Sequence, residues 1–118
     1  MSINITDRSN LLDTEARQLA QRRLLFALSR FDSRIKQIDL VVEDENGPRG
    51  GIDKSCRISV SLDHASDVVV SGKDSDVCRC ISRAAERAGR AVARTIEKSN
   101  DFARLRRTFI DPKAITQT

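Results

Sequence analysis

Apolar residues change period along this chain, and the order of the changes leaves few folds open. Ser2-Ile3-Asn4-Ile5-Thr6 alternates polar and apolar side chains and reads as a short strand with Ile3 and Ile5 on one face. From about Asp13 the spacing becomes three and four, through Ala16, Leu19, Ala20, Leu24, Ala27, Leu28 and Phe31. Asp13 or Thr14 can cap this helix, which the spacing ends near Phe31-Asp32; Leu25 falls opposite the apolar stripe, and Phe26 falls on its margin and is expected to be partly buried. Period two returns from about Ile35 to Glu43 and again at Cys56, Ile58, Val60 and Leu62, and Val68-Val69-Val70 reads as a shorter strand. A second helix is predicted after the cap cluster Asp74-Ser75-Asp76, running to about Lys98.

The resulting order is β-α-β-β-β-α. A helix between the first two strands implies that they run parallel through a right-handed crossover, and the short connections after them imply antiparallel pairing. The expected class is α+β, a two-layer sandwich of a four-stranded mixed sheet with two helices on one face. With 118 residues there is room for a single core. Residues 1–99 are taken as the domain and 100–118 as a basic tail with freedom to move.

Composition narrows the functional classes. Hydrophobic residues at 39% and charged residues at 32% suit a globular chain rather than a disordered one. No run approaches the roughly 18 to 20 apolar residues of a membrane span. The start lacks the pattern of a secretory signal, so no membrane is expected and the cytoplasm is the expected location. Three cysteines, an odd number, argue against a disulfide framework. The formal charge of +4 is unevenly distributed: residues 1–76 carry 11 Lys/Arg against 13 Asp/Glu, and residues 77–118 carry 10 against 4. The cationic end of the chain is therefore the place to look for an anionic partner.

On the second predicted helix, Arg79, Arg83, Arg87, Arg90 and Arg94 recur at spacings of three and four, on the side away from the apolar residues. Like charges so placed weaken a helix, and Glu86 and Glu97 are the acidic residues within it able to offset them. Guanidinium groups donate paired hydrogen bonds to phosphate, so the rail suits a nucleic-acid backbone, with a solvated Arg-rich face as the plain alternative. Arg22, Arg23 and Arg30 of the first helix extend the basic set, and Arg49 at the tip of the Gly/Pro-rich loop 46–51 is a secondary candidate for groove contact. With four Phe and no Trp or Tyr, the chain offers no obvious row of platforms for splayed bases, which favours recognition by shape and phosphate.

Catalytic and metal chemistry find little support. Gly72-Lys73 lacks the earlier glycine of a phosphate-binding loop. Cys56, Cys78 and Cys80 with the single His64 give no converging set of four ligands, so the cysteines read as small core residues. His64 has no motif partner placed beside it. The expectation is a non-enzymatic protein without cofactor, metal or small-molecule substrate.

Ile3-Asn4-Ile5-Thr6, the junction Phe31-Asp32-Ser33-Arg34-Ile35, and Ser75-Asp76-Val77 leading into Ile81 together resemble the short ribosome hibernation factors, the family of hibernation-promoting factor and ribosome-associated inhibitor A (protein Y). The resemblance covers roughly residues 3–98; Cys78-Arg79-Cys80 stands where that family typically has Tyr-Ala-Ala. It implies the same β-α-β-β-β-α domain, lodged in the small-subunit channel that messenger and transfer RNA would occupy, as an inhibitor of translation under stress in a bacterial cytoplasm. Carried over by position, the family's basic sites fall on Arg23, Arg87, Arg90 and Arg94. The length leaves no space for the dimerisation domain of the long members, so a monomer is expected on the ribosome. Two rival readings remain: a binder of structured RNA acting off the ribosome, and a protein-interaction module whose rail meets an acidic protein surface.

Overall fold

The computed structural model describes residues 1–44 and 54–110, with side chains described through residue 101. Four strands, β1 (Ser2–Asp7), β2 (Ile35–Asp44), β3 (Lys54–Leu62) and β4 (Val68–Asp74), form one sheet in the order β1-β2-β3-β4. β1 pairs parallel with β2, and the other two pairings are antiparallel. Helix α1 (Thr14–Leu28) and a 3-10 segment (Ser29–Arg34) connect β1 to β2, and helix α2 (Val77–Ile110) follows β4. This is the α+β arrangement expected from the changes of period.

Register follows from burial. Ile3 pairs with Ile38 and Ile5 with Leu40, and Ile38, Leu40 and Val42 in turn face Val60, Ile58 and Cys56. These positions share one face, and Ile38, Leu40, Val42, Ile58 and Val60 are fully buried there. An irregularity in the β2–β3 ladder between Ile35 and Gln37 changes the alternation, so that Ile35 and Ile38, three apart, both enter the core. Leu24 and Leu28 of α1 and Ile81, Ala84, Ala85, Ala88 and Val92 of α2 complete it from above. The opposite sheet face carries Arg57, Val69, Ser71 and Lys73, all exposed.

Caps fix where the helices start. Asp13 Oδ1 accepts the Ala16 N–H at 2.8 Å, and ahead of it the Asp7 carboxylate accepts Leu11 N–H at 2.9 Å and Leu12 N–H at 2.8 Å, setting the turn between β1 and α1. Partial burial pushes the Asp7 carboxyl up, but these backbone donors outweigh it and hold the group below the usual carboxylate range. Asn10 and His64 take left-handed backbone, at φ 54° and 58°, in the turns before α1 and after β3.

Two sequence expectations need correction. Helix α2 continues to Ile110, well past Lys98. No Gly or Pro interrupts the segment after Lys98 until Pro112, and Ala103, Arg104, Leu105, Arg106 and Arg107 are good helix formers, so nothing in the sequence stops the helix at Lys98. Ser99 Oγ donates to the His64 carbonyl at 2.7 Å, and Arg34 reaches Asn100 Oδ1 at 3.4 Å, so the helix is still tied to the body one turn beyond Ile96. The second correction concerns Phe26, which is 86% exposed rather than partly buried.

Candidate nucleic-acid interface

α2 begins where Asp76 Oδ1 accepts the Cys78 N–H at 2.9 Å, so Asp76 caps the helix. Asp74, two residues earlier, has another role. Period two along β4 puts it on the core face with Val68, and at 7% exposure it is the buried charged residue among those described. A carboxylate there requires partners. Arg79 supplies two, from Nε to Oδ2 at 2.9 Å and from Nη2 to Oδ1 at 2.8 Å, while Arg83 Nη1 stands 3.6 Å from Oδ2. The Arg79 hydrogen bonds, with the Asp76 N–H, hold Asp74 well below the usual carboxylate range, and the same contact raises Arg79.

The charge of Arg79 is thus balanced inside the molecule, and that of Arg83 is partly so. A depressed native value means that Asp74 contributes stability present above about pH 4, the ordinary carboxylate value, and lost as pH falls below it toward the native value. Asp7 adds to the same trend. Asp74→Asn is expected to melt at a lower temperature at neutral pH and to lose less stability on acidification below about pH 4 than the wild type does. Thermal melts by circular dichroism across that range check this; parallel curves for the two proteins would show that the ion pair contributes nothing.

The free part of the rail lies further along. Arg87 Nη1 donates to the Ser71 carbonyl at 2.7 Å, which ties α2 to strand β4 and leaves the other guanidinium donors available. Arg90 and Arg94 are exposed and make no hydrogen bond or ion pair among the described residues; Glu86 and Glu97 pair with neither. Arg87 to Arg94 covers about 10 Å of helix.

Helices α1 and α2 lie side by side, with Gly89 against Ala27. Measured from Ala27 at 100° per residue, Leu24 and Leu28 turn toward the core, while Arg23, Leu19 and Phe26 turn the other way by about 40° to 100°. Measured from Gly89, Val92, Ile81 and Ala88 turn toward the core, while Arg90, Arg83, Arg94 and Arg87 turn the other way by about 100° to 160°. Arg23 and Phe26 of α1 and Arg90 and Arg94 of α2 therefore turn away from the core, while the Arg83 and Arg87 guanidinium groups reach over the β4 edge of the sheet to Asp74 and the Ser71 carbonyl. Arg22 and Arg23 are exposed and have no partner among the described residues, and the guanidinium of Arg30 lies 4.6 Å from the Phe31 ring centre.

Arg49 and the loop 46–51 lie outside the described residues, as do the side chains of Arg104, Arg106 and Arg107. Cys56 and Cys80 sit in the core with sulfurs 3.0 Å apart; burial pushes the Cys56 thiol far above its ordinary range, and the neighbouring thiol adds to this. Cys78 is half-buried at the start of α2. Among the described residues no three His, Cys, Asp or Glu side chains converge as metal ligands, and no helix is long and apolar enough to cross a membrane.

Two solved structures share this architecture. One is described as a ribosomal subunit interface protein from Coxiella burnetii, with a TM-score of 0.66 and 14% identity over 80% of this chain and 96% of that one. The other is the N-terminal domain of Protein Y from Thermus thermophilus, with a TM-score of 0.64 and 21% identity over 80% of this chain and 98% of that one. The chain has the fold of these two proteins. The fold implied by the sequence resemblance is therefore the fold observed. No family model matches the chain, and no curated protein matches it by sequence.

Proposed function

We propose that this protein is a ribosome-associated translation inhibitor of the hibernation-factor kind, a non-enzymatic cytoplasmic protein. In this reading it occupies the messenger and transfer RNA channel of the small ribosomal subunit as a monomer during stress. The observation that carries the reading is the outer surface of the helix layer, where Arg90 and Arg94, without a partner among the described residues, stand near Arg87 on α2 and Arg22 and Arg23 are exposed on α1. Cations left without internal partners on a rigid, two-helix surface suit a fixed array of phosphates. The sequence resemblance, and a fold shared with a ribosomal subunit interface protein and with Protein Y, support the ribosome as the source of those phosphates.

The test is sedimentation with purified small ribosomal subunits through a salt series. The protein is expected to travel with the subunit at low salt, to dissociate steeply as salt rises, and to be displaced by transfer RNA with messenger RNA. Co-sedimentation that neither RNA displaces would favour the rival in which structured RNA is bound elsewhere. A captured partner that survives nuclease digestion would favour an acidic protein instead.

A further inference from the structure

Phe26 is the most exposed of the large hydrophobic side chains described, at 86%, against 61% for Val69 and 39% for its neighbour Leu25. It stands on the outward side of α1, beside a shallow hollow of about 280 Å³ that Leu19, Arg22 and Arg23 line with it. We propose that Phe26 is a stacking platform for one unpaired nucleobase of the bound RNA, and that Arg22 and Arg23 hold the phosphates flanking that nucleotide. This rests on the reading above, that the outward face of the helices binds RNA.

Charge decides between occupants. A second copy related by a two-fold axis would bring Arg22 and Arg23 against their own equivalents, and neither has a carboxylate partner among the described residues to relieve the repulsion. A neutral apolar partner would strip water from two guanidinium groups without replacing their hydrogen bonds. A nucleotide joins a flat, polarisable ring to an anion a few ångströms away, and so matches a ring set between two cations.

The chain contains no Trp, so Phe26→Trp installs a single reporter on the platform itself. On titration with purified small ribosomal subunits, with the unmodified chain as the background, its emission is expected to be quenched by the stacked base and its affinity retained. Phe26→Ala is expected to weaken binding by about 5- to 150-fold, the range for loss of one base–aromatic stack. It should do so without changing the slope of affinity against salt, because no charge is removed. Phe26→Leu should fall with Ala, since a branched aliphatic chain offers no ring face. The side chain is almost wholly exposed, so the melting temperature should not change in any of the three.

Equal affinity of Phe26→Ala and wild type overturns the proposal. So does Trp emission that rises and shifts to the blue without quenching, the signature of cover by an apolar protein surface. Binding that depends on Arg90 and Arg94 but not on Phe26 overturns this proposal alone, whereas failure of the unmodified chain to bind subunits overturns the ribosomal reading and this proposal with it.

Discussion

Replacing Arg87, Arg90 and Arg94 together by Glu is expected to reduce affinity for the small ribosomal subunit about a thousand-fold or more. A hydrogen bond to a charged group is worth about 1.5 to 3 kcal/mol, and three lost contacts at the lower figure already amount to more than three decades in the dissociation constant. Reversal of charge adds repulsion to that loss. The salt series gives an independent readout: with Ala in place of Glu, the log–log slope of affinity against salt should become shallower by about two to three, one counterion release fewer per arginine. Arg87 also holds Ser71, so the pair Arg90→Glu and Arg94→Glu serves as the version free of any disturbance to strand β4. Both residues are exposed and have no partner among the described residues, and the melting temperature of the pair should stay at or above the wild-type value once like charges on one helix face are relieved. Unchanged binding by the triple variant would show that the rail is an ordinary solvated surface.

The rail was legible because it is local. Angular position on one helix needs only the spacing of residues, and the same holds for the alternation that puts Ile38, Leu40 and Val42 on one face of β2 and Cys56, Ile58 and Val60 on one face of β3. What spacing does not reveal is which charges are already answered within the fold. Five arginines share one side of α2, yet Arg79 is spoken for by Asp74, and the interface narrows toward Arg87, Arg90 and Arg94. A signal for that pairing did exist: the period of two that buries Val68 also carries Asp74 to the core side, where a carboxylate requires a cation within reach. The cap cluster hid it, because Asp74 and Asp76 look alike to a capping rule although only Asp76 accepts from the first helical N–H groups.

Phe26 and the length of α2 escaped for different reasons. An apolar residue on the margin of a helical stripe is covered or left open according to what the neighbouring helix offers, and that is a tertiary fact. Here α2 meets α1 at Ala27, through Gly89, and Phe26 turns about 100° away from that contact and stays uncovered. The continuation of α2 past Lys98 was concealed by the loss of an apolar pattern, which signals burial rather than helicity. Among the described residues Val92 is the last buried one of α2, and beyond Ile96 the helix is tied down by the Ser99 and Asn100 hydrogen bonds.

Gly89 also sets how far apart the two cationic helices stand, and replacing it has the largest expected effect on stability. A methyl carbon built at Gly89 would lie 3.0 Å from the carbonyl oxygen of Ala27 and 3.5 Å from its Cβ. For Gly89→Ala this contact works against a gain in helix propensity of about 1 kcal/mol, so the net change should be small. For Gly89→Leu no such balance exists: the branched side chain has to displace α1, and a loss of about 3 kcal/mol, the upper end of the usual overpacking range, is expected in denaturant unfolding. Adding Ala27→Gly should recover little of it, because the nearest obstacle is a backbone oxygen that every residue at position 27 retains. Binding provides the second measurement. If Arg23 and Phe26 on α1 act together with Arg90 and Arg94 on α2, forcing the helices apart must weaken RNA binding by more than the unfolded fraction accounts for. A Gly89→Leu protein that is destabilised, yet binds with full affinity once its folded fraction is allowed for, would mean that one helix alone makes the contact.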